Sequence, residues 1–470
     1  MDRVAYLSGV SGGAWGSIPY CYLPHQHEVD RFLGPKYMPE EITPRRLRWN
    51  KRHSLTHAVT HAQIANRTLL HGIAGHEAFS QAVGDIFLHP FDIPSPGGRR
   101  QDRKFFSTTP EAVAAILKRN PELTEQDFLT LRPNAPYPIV NGVMLVPKPD
   151  HEKDLNDFRA LPFDFTPLYS GTPVQHTIPG KEGQVLGGGW LETLGFKGVP
   201  KSQSEGLVEV ELAKRFEMCE SLGISGAAIA KLLVEFAIPL KLLFPQYPYW
   251  NPSHPTTVQS YEFGDSGVLE NLGIVPLLMR QVKNIVVLST EPFDTENPMR
   301  NWDPSERAER QFGYNQIAAL FGDPVYQLDP RSKDRQKLVP PPAHMQVFAN
   351  ADFARVRDGL QHTKAHGGPA HYRGTFTVQQ NDFLGVPGGW ECNILWMCVD
   401  NSPAWKARLP QNIQRRLGKL GLLDSFPIVR VFGQNPPHII QLYRQQANLL
   451  GNLAYWMVID RQADFRALLG

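Results

Sequence analysis

Residues 4–16 read VAYLSGVSGGAWG, an apolar run that ends in a cluster of glycines around Ser11. Residues 9–13 have the G-x-S-x-G form of a nucleophile elbow, in which a strand turns sharply into a helix and exposes the serine hydroxyl. Side chains in place of the flanking glycines are expected to collide with the neighbouring strand and helix. The pattern predicts a strand over residues 4–7, a helix over residues 14–22 and a nucleophilic Ser11. A purely structural glycine turn is the alternative.

The composition is that of an ordinary globular protein. Of the 470 residues, 41% are hydrophobic and 20% are charged, which allows a large core and excludes a disordered chain. The formal net charge of +2 gives no case for binding nucleic acid. The four cysteines do not suggest a disulfide framework, and the most apolar stretch, residues 222–244, is interrupted by charges and a proline. We therefore expect a cytoplasmic protein.

Helical and strand-like segments alternate along the chain, which predicts an α/β layered fold with a central mixed, partly parallel sheet. Helical patterns dominate residues 24–135, which are expected to form a helical cap. The predicted helices are 53–74, 76–87, 111–119, 207–243, 276–280, 299–321 and 438–458. The predicted strands are 138–146, 161–165, 284–289, 375–378 and 393–399, of which 284–289 is expected to be a buried parallel strand. Residues 171–206 and 328–345 are predicted to be loops because they are rich in glycine, proline or charge.

A serine nucleophile needs a base, and the best candidate lies in the segment YEFGDSGV of residues 261–268. Asp265 lies there between two glycines, where the backbone can turn tightly and present a short carboxylate. The alternative is an Asx-type turn, in which Asp265 bonds only to nearby backbone. Spacing alone does not separate the two interpretations.

Three further segments accompany these motifs: PFDFTPLY at residues 162–169, LGISGAA at residues 222–228 and PLL at residues 276–278. Together with the elbow and with Asp265, they resemble the catalytic domain of the cytosolic phospholipase A2 and lysophospholipase family, which shares the patatin-like architecture. The resemblance covers roughly residues 4–295 well and the C-terminal third more loosely. It implies a single patatin-like domain over residues 1–470.

The resemblance implies a Ser-Asp dyad in place of a Ser-His-Asp triad. Ser11 would be the nucleophile that forms an acyl-enzyme, Asp265 the general base, and the backbone N–H of Gly12 a donor to the oxyanion. Because aspartate ordinarily has a pKa of about 3.9, it is a weak base at neutral pH, so the dyad needs a partly desolvated site. The implied substrate is a phospholipid or lysophospholipid at a membrane surface, to which the protein would bind peripherally. No metal, other cofactor or nucleic acid is implied, and the oligomeric state stays open.

One part of the family pattern is not found. The family has a glycine-rich loop ahead of the elbow that donates further oxyanion N–H groups, and an arginine there that can hold the substrate phosphate. Neither can be placed in residues 1–8, and the glycines at 97–98 and 187–189 come in the wrong chain order to replace the loop. We therefore expect a chain that is truncated at its N-terminus relative to the family. This leaves open a second interpretation, a catalytically impaired lipid-binding or scaffold remnant of the same fold.

Two other constellations compete with the dyad. A Ser-Asp-His triad in α/β-hydrolase order would use His438, but that fold also needs several strands before its elbow. A metal site would use His53, His57 and His61, which are four residues apart on one predicted helix. No H-E-x-x-H glutamate and no further obvious ligand accompany them, so an ordinary polar helix face is the favoured interpretation.

Overall fold

The computed structural model describes residues 3–62, 76–95, 104–147, 158–177, 185–204, 206–227, 245–251, 254–290, 313–328, 336–400, 402–417, 423, 426–427 and 442–470. The chain divides into two compact units. Unit 1 consists of Met1–Val29 and Gln63–Pro276, and unit 2 consists of Asp30–Ala62 and Leu277–Gly470. The single-domain interpretation stays a prediction.

The described helices are, in chain order, α1 (Gly12–Cys21), α2 (Val29–Leu33), α3 (Leu55–Thr60), α4 (His76–Phe87), α5 (Pro110–Leu117), α6 (Met218–Ser225), α7 (Val275–Met279), α8 (Gly313–Leu320), α9 (Phe353–Ala365), α10 (Pro403–Arg408), α11 (Gln411–Leu417), α12 (Arg444–Asp460) and α13 (Gln462–Leu469). Within the described ranges, no helix is both long enough and apolar enough to cross a membrane.

The described strands are β1 (Tyr6–Val10), β2 (Phe105–Phe106), β3 (Phe128–Leu129), β4 (Tyr137–Pro147), β5 (Phe158–Phe165), β6 (Tyr169–Thr177), β7 (Val185–Glu192), β8 (Val199–Ser204), β9 (Leu207–Glu211), β10 (Gln246–Asn251), β11 (His254–Asp265), β12 (Asn284–Ser289), β13 (Val325–Leu328), β14 (Gln336–Val339), β15 (Ala370–Val378) and β16 (Trp390–Cys398).

Unit 1 is built on a mixed seven-stranded sheet. Its strand order is β10-β11-β4-β5-β6-β7, and β1 also pairs with β4. The β1–β4 pair is parallel, whereas the other neighbours in this sheet are antiparallel. Aromatic rings of strands β5, β10 and β11 and of the connecting segments pack together in the core of the unit, namely Phe163, Phe165, Phe196, Phe216, Tyr247 and Phe263. These rings fix the stacking of the sheet against the segments that cover it.

Unit 2 contains a three-stranded sheet in the order β12-β16-β15. The β12–β16 pair is parallel and the β15–β16 pair is antiparallel. One core cluster of the unit includes buried residues of β16 and of helices α10, α11, α12 and α13, among them Leu395, Trp405, Ile413, Leu453 and Leu468. The described architecture is therefore mixed α/β with several sheets, and most of the strand pairs are antiparallel.

Several elements predicted from the sequence are confirmed. Helix α4 spans the predicted residues 76–87, and α5 begins after Thr109, whose hydroxyl accepts the Ala112 N–H at 3.2 Å. Strands β4, β5, β15 and β16 lie where alternating or β-branched residues predicted them. Strand β12 is parallel as expected, but it is only partly buried, since Leu288 is 59% exposed.

The prediction of a loop over residues 171–206 is wrong, because β6, β7 and β8 lie there. The glycines serve a bulged strand pair, whose register shifts between Thr172 and Gln175. Gly187 has a φ of 75°, and a side chain there would overlap the Val174 carbonyl of the neighbouring strand. Glycine therefore indicates a close strand approach here and not a loop.

Three other boundaries differ from the prediction. Residues 207–211 form β9 instead of the start of a helix, because alternating apolar and acidic residues suit the β8–β9 hairpin. Residues 336–339 form β14 instead of a loop and pair with β13. The expected cap, residues 24–135, contains helices α2, α3, α4 and α5 in its described part, but more than half of the described residues there lie outside helices, and the β2–β3 pair is among them. Three predicted helices are described only in part, and the rest of each lies largely outside the described residues, namely 53–74, 207–243 and 299–321. The start of the last predicted helix also lies outside them.

Candidate active site

The predicted elbow is present in unit 1. Strand β1 ends at Val10, α1 begins at Gly12, and Ser11 lies between them with φ 50° and ψ −124°. A residue with a side chain adopts this region rarely, at a cost on the order of 1–3 kcal/mol. The Ser11 carbonyl accepts the Ala14 N–H at 3.0 Å, so the helix starts directly from the strained residue. The half-buried Ser11 is therefore held in a tight strand-to-helix turn.

The glycines around Ser11 are not equivalent. A Cβ at Gly9 would lie 2.8 Å from both the backbone N and the Cα of Ala14, so the contact of β1 with α1 requires glycine there. A Cβ at Gly12 or at Gly13 would meet nothing within 4 Å. The expectation of collisions is therefore confirmed for Gly9 and wrong for Gly12 and Gly13. Those two begin the exposed N-terminus of α1, which leaves open space above them.

Strand pairing brings the two candidate catalytic motifs to neighbouring positions in the sheet. Strand β5 occupies one edge of β4 over residues 140–147, while β1 pairs with residues 137–141 and β11 with residues 142–145. Because a strand has only two edges, β1 and β11 share the other edge and meet end to end. Val10 lies opposite Asn141, and Asp265 lies opposite Gly142. The two strand ends thus arrive at consecutive residues of β4, about 3.3 Å apart along the strand.

The alternation of side chains places the site on one face of this sheet. Directly opposed residues point to the same face and successive residues to opposite faces, so Asp265 shares the face of Gly142. Helix α1, which directly follows Ser11, lies on that same face, because it contacts Gly9, and Gly9 pairs with Val140, two residues from Gly142. A Cβ at Gly142 would lie 3.0 Å from the Phe165 ring and 3.1 Å from the Ile224 side chain. Glycine at this position of β4 therefore lets helix α6 approach the site closely.

Helix α6 holds the elbow from this side. The backbone N–H of Ser11 donates to the hydroxyl of Ser225 at 2.9 Å, and the Trp15 indole donates to the Leu222 carbonyl at 3.0 Å. A side chain at Gly226 would overlap the Trp15 ring, so small residues at the end of α6 are needed for this contact. Ser225 belongs to the small-residue segment seen in the sequence, but its link to Ser11 crosses most of unit 1 and has no local signal.

Asn141 supports the elbow from within β4. Its side-chain amide donates to the Ser8 hydroxyl at 2.9 Å and to the Gly9 carbonyl at 2.8 Å. Asn141 is buried, and a buried amide is stable only when it is hydrogen-bonded. Sequence reasoning missed this residue. The available signal was a polar side chain that interrupts the apolar run of β4.

Asp265 is the last residue of β11 and is only 3% exposed, which provides the desolvated environment that an aspartate base needs. Its Oδ1 accepts the Gly267 N–H at 2.8 Å, so the Asx-type turn that the sequence allowed is also present. A carboxylate has two acceptor oxygens, and the turn is therefore compatible with a role as base. The turn fixes the carboxylate at the end of the strand.

A second buried carboxylate lies five residues further on. Glu270 Oε1 accepts the Leu272 N–H, and its Oε2 accepts the Ile274 and Val275 N–H groups at 3.0 and 3.4 Å. Burial raises the pKa of Glu270 from 4.5 to about 7, against the opposing effect of these hydrogen bonds. The neighbouring Gly273, at φ 69°, lies against β1, since a Cβ there would be 3.0 Å from the Ser8 hydroxyl. Sequence reasoning missed Glu270 as well.

Gly12 has the position expected of an oxyanion donor. It is the first residue of α1, where the helix offers no internal acceptor for the N–H group. The N-terminal end of a helix also favours a developing negative charge. The residue is exposed and directly follows Ser11. Its role in catalysis stays a prediction.

The competing constellations fare differently. His438 lies outside the described residues, so the triad stays a prediction. In unit 2, α3 begins only at Leu55, and the preceding His53 has a left-handed φ of 61°. The placement of three histidines on one helix face is therefore wrong. His57 Nδ1 contacts the Asn50 side chain at 3.1 Å, and His61 Nδ1 contacts the His57 carbonyl at 2.9 Å.

Comparisons with family models, with curated proteins and with solved structures found no match for this chain. The geometry of the elbow, of Asp265 and of their supports is therefore the basis for a functional proposal, together with the sequence resemblance.

The strain at Ser11 predicts a difference between two substitutions. The free energy of unfolding of the Ser11→Gly variant should be about 1 kcal/mol higher than that of the Ser11→Ala variant. The relief of about 1–3 kcal/mol of strain outweighs the roughly 0.5–1 kcal/mol that glycine costs through unfolded-state entropy. Urea unfolding checks this. At Ser17, inside α1, the order should reverse, with alanine about 1 kcal/mol more stable than glycine. Equal stability of the two Ser11 variants would contradict a strained turn.

The buried Glu270 predicts how stability depends on pH. Below about pH 4.5 Glu270 is protonated in both states, and between pH 4.5 and 7 only the unfolded chain has lost the proton. The folded pKa is raised, so the free energy of unfolding should fall as the pH rises through this window, by up to about 3 kcal/mol. Urea unfolding at several pH values should show this fall, and Glu270→Gln should remove it. An unchanged slope in the variant would contradict the assignment.

Proposed function

We propose that this chain is a serine acyl hydrolase with a Ser11–Asp265 dyad, of the cytosolic phospholipase A2 and lysophospholipase type and with a patatin-like architecture. The observation that carries the proposal is the end-to-end meeting of β1 and β11 on consecutive residues of β4. Ser11 follows the end of β1 in a strained turn and the buried Asp265 ends β11, which supports a dyad formed by these two residues. A nucleophile and a base supplied by separate strands to one sheet face are the arrangement that nucleophilic acyl transfer needs.

In the first half of the proposed reaction, Asp265 takes the proton of the Ser11 hydroxyl while Oγ attacks the ester carbonyl carbon. The carbonyl oxygen becomes an oxyanion, which the Gly12 N–H at the start of α1 stabilises. The tetrahedral intermediate collapses with cleavage of the bond to the alcohol oxygen. The departing alcohol takes the proton back from Asp265, and the acyl group remains on Ser11.

In the second half, water attacks the acyl-enzyme and transfers a proton to Asp265. Collapse of the second tetrahedral intermediate breaks the bond to Ser11 Oγ, which recovers its proton from Asp265. The fatty acid leaves and the dyad is restored. The same carboxylate therefore serves both halves in turn, and no residue from unit 2 is required by this scheme.

The assignment to phospholipids or lysophospholipids rests on the resemblance of the segments around Ser11, Asp265 and residues 162–169 and 222–228. Such substrates are presented at membrane surfaces, so the protein would act there as a peripheral cytoplasmic enzyme. The mixed sheet of unit 1 and helix α6, which carries the small-residue segment, are compatible with this assignment.

The decisive experiment compares wild-type protein with Ser11→Ala. The wild type should release fatty acid from phosphatidylcholine or lysophosphatidylcholine vesicles and be labelled by a fluorophosphonate probe, whereas the variant should do neither. A folded wild-type chain that is not labelled would refute the hydrolase and favour the lipid-binding remnant. Labelling with cleavage of a short-chain nitrophenyl ester, but not of either lipid, would refute the substrate class alone.

A further inference from the structure

The segment that follows Asp265 is closed on itself by hydrogen bonds within unit 1. The Glu270 N–H donates to the Ser266 carbonyl at 2.7 Å, and the Ser266 hydroxyl donates to the Glu270 carbonyl at 3.2 Å. Asp265 caps the same turn through the Gly267 N–H. The backbone between Asp265 and Glu270 therefore forms a closed turn, so a displacement of Glu270 would also displace Asp265.

The Glu270 side chain closes the next part of the chain. Its two oxygens accept three backbone N–H groups, those of Leu272, Ile274 and Val275. An ionised carboxylate can satisfy all three donors because both of its oxygens are acceptors. Burying a carboxylate is costly, and the hydrogen bonds described for this one go to residues 272–275, so we relate its buried position to the conformation of that segment.

The segment held by Glu270 touches the strand that carries the nucleophile. A Cβ at Gly273 would lie 3.0 Å from the Ser8 hydroxyl and 3.5 Å from the Val10 side chain. Val10 directly precedes Ser11, and Ser8 is the acceptor of the Asn141 amide. The left-handed φ of 69° at Gly273 allows this close approach. The chain that leaves Asp265 thus returns to lie against the end of β1.

We propose that Glu270 is a positioning residue that sets the placement of Asp265 relative to Ser11, by holding residues 270–275 against β1. The inference rests on the proposed function, since it assigns Glu270 a task within that dyad. It does not place Glu270 in contact with substrate. Its effect passes through the turn at Ser266 on one side and through Gly273 on the other.

The test uses the full-length chain at pH 8, where Glu270 is ionised. Glu270→Gln keeps the size of the side chain but replaces one acceptor oxygen by an NH₂ group. This group cannot accept a hydrogen bond from the backbone N–H groups that it faces. Fluorophosphonate labelling measured at several probe concentrations should show about a tenfold lower acylation rate constant with unchanged probe affinity, because base placement matters in the transition state. Hydrogen exchange at residues 272–275 should be at least about tenfold faster. The control Glu262→Gln, on the same strand as Asp265, should change neither.

Three outcomes would overturn the inference. The first is faster exchange at residues 272–275 in Glu270→Gln with a wild-type acylation rate, which would limit Glu270 to local folding. The second is hydrogen exchange at residues 272–275 of the wild type that is much faster than in β11. This outcome can be measured even if the variant does not fold. The third is an equal fall in acylation for Glu262→Gln. An unlabelled wild type would instead refute the dyad itself, and the positioning role with it.

Discussion

Asp265→Asn is expected to slow the acylation of Ser11 by about 10³-fold, within the range of about 10²–10⁴ that a general base contributes. The amide cannot accept the hydroxyl proton, so attack on the carbonyl must proceed from the protonated serine. The fold should survive, because asparagine keeps an oxygen that can accept the Gly267 N–H now bound at 2.8 Å. Ser11→Ala gives the floor of the assay, with no labelling at all.

The rate of fluorophosphonate labelling measures this effect, and circular dichroism verifies the fold. Asp164→Asn is the matched control. Asp164 is also buried, but it lies on β5 at the opposite edge of β4, where it pairs with Asn141 and not with Gly142. Its replacement can lower stability, yet labelling should stay within about threefold of wild type, because the change leaves the base in place. A similar slowing in both variants would show that the loss of a buried charge, and not of a base, causes the effect.

The elbow could be predicted from the sequence because its chemistry is local. A strand, a serine between glycines and a following helix occupy residues 4–22, and the structure places β1, Ser11 and α1 within them. Asp265 was found for the same reason, since its flanking glycines mark a tight turn. What the sequence could not provide is the common neighbour of the two motifs. Strand β4 pairs with both, and its register is decided by the core of unit 1.

The supports of the site escaped prediction because they act over long distances in the chain. The Ser225 hydroxyl at the end of α6 accepts the Ser11 N–H that precedes α1, and the Asn141 amide on β4 donates to the Ser8 hydroxyl on β1. Nothing in the sequence indicates that Glu270 is buried, because charged residues are seldom fully buried, and only the surrounding N–H groups show why it is inside. The glycines at 187–189 led to the wrong prediction of a loop for a related reason, since close strand approach and loop structure use the same residue type.

Gly9→Ala should lower the free energy of unfolding by about 3 kcal/mol and abolish labelling of Ser11. The added Cβ would lie 2.8 Å from two backbone atoms of Ala14 and from the Ser17 hydroxyl. A side chain could rotate away, but the backbone of α1 can move only by lifting the helix off β1, and overpacking of this kind typically costs about 1–3 kcal/mol. Urea unfolding measures the free energy of unfolding, and fluorophosphonate labelling at low urea concentration measures whether Ser11 is still reactive.

Gly16→Ala separates this collision from the general effect of adding a methyl group to the elbow. Gly16 lies in the same helix with nothing within 4 Å of its missing Cβ, so alanine there should stabilise the chain by up to about 1 kcal/mol through helix propensity. The two substitutions are chemically identical and should have opposite signs. A Gly9→Ala variant as stable as the wild type would show that β1 and α1 are not in close contact. Ser11 would then have no reason to adopt its strained backbone, because that conformation follows from the short distance between strand and helix.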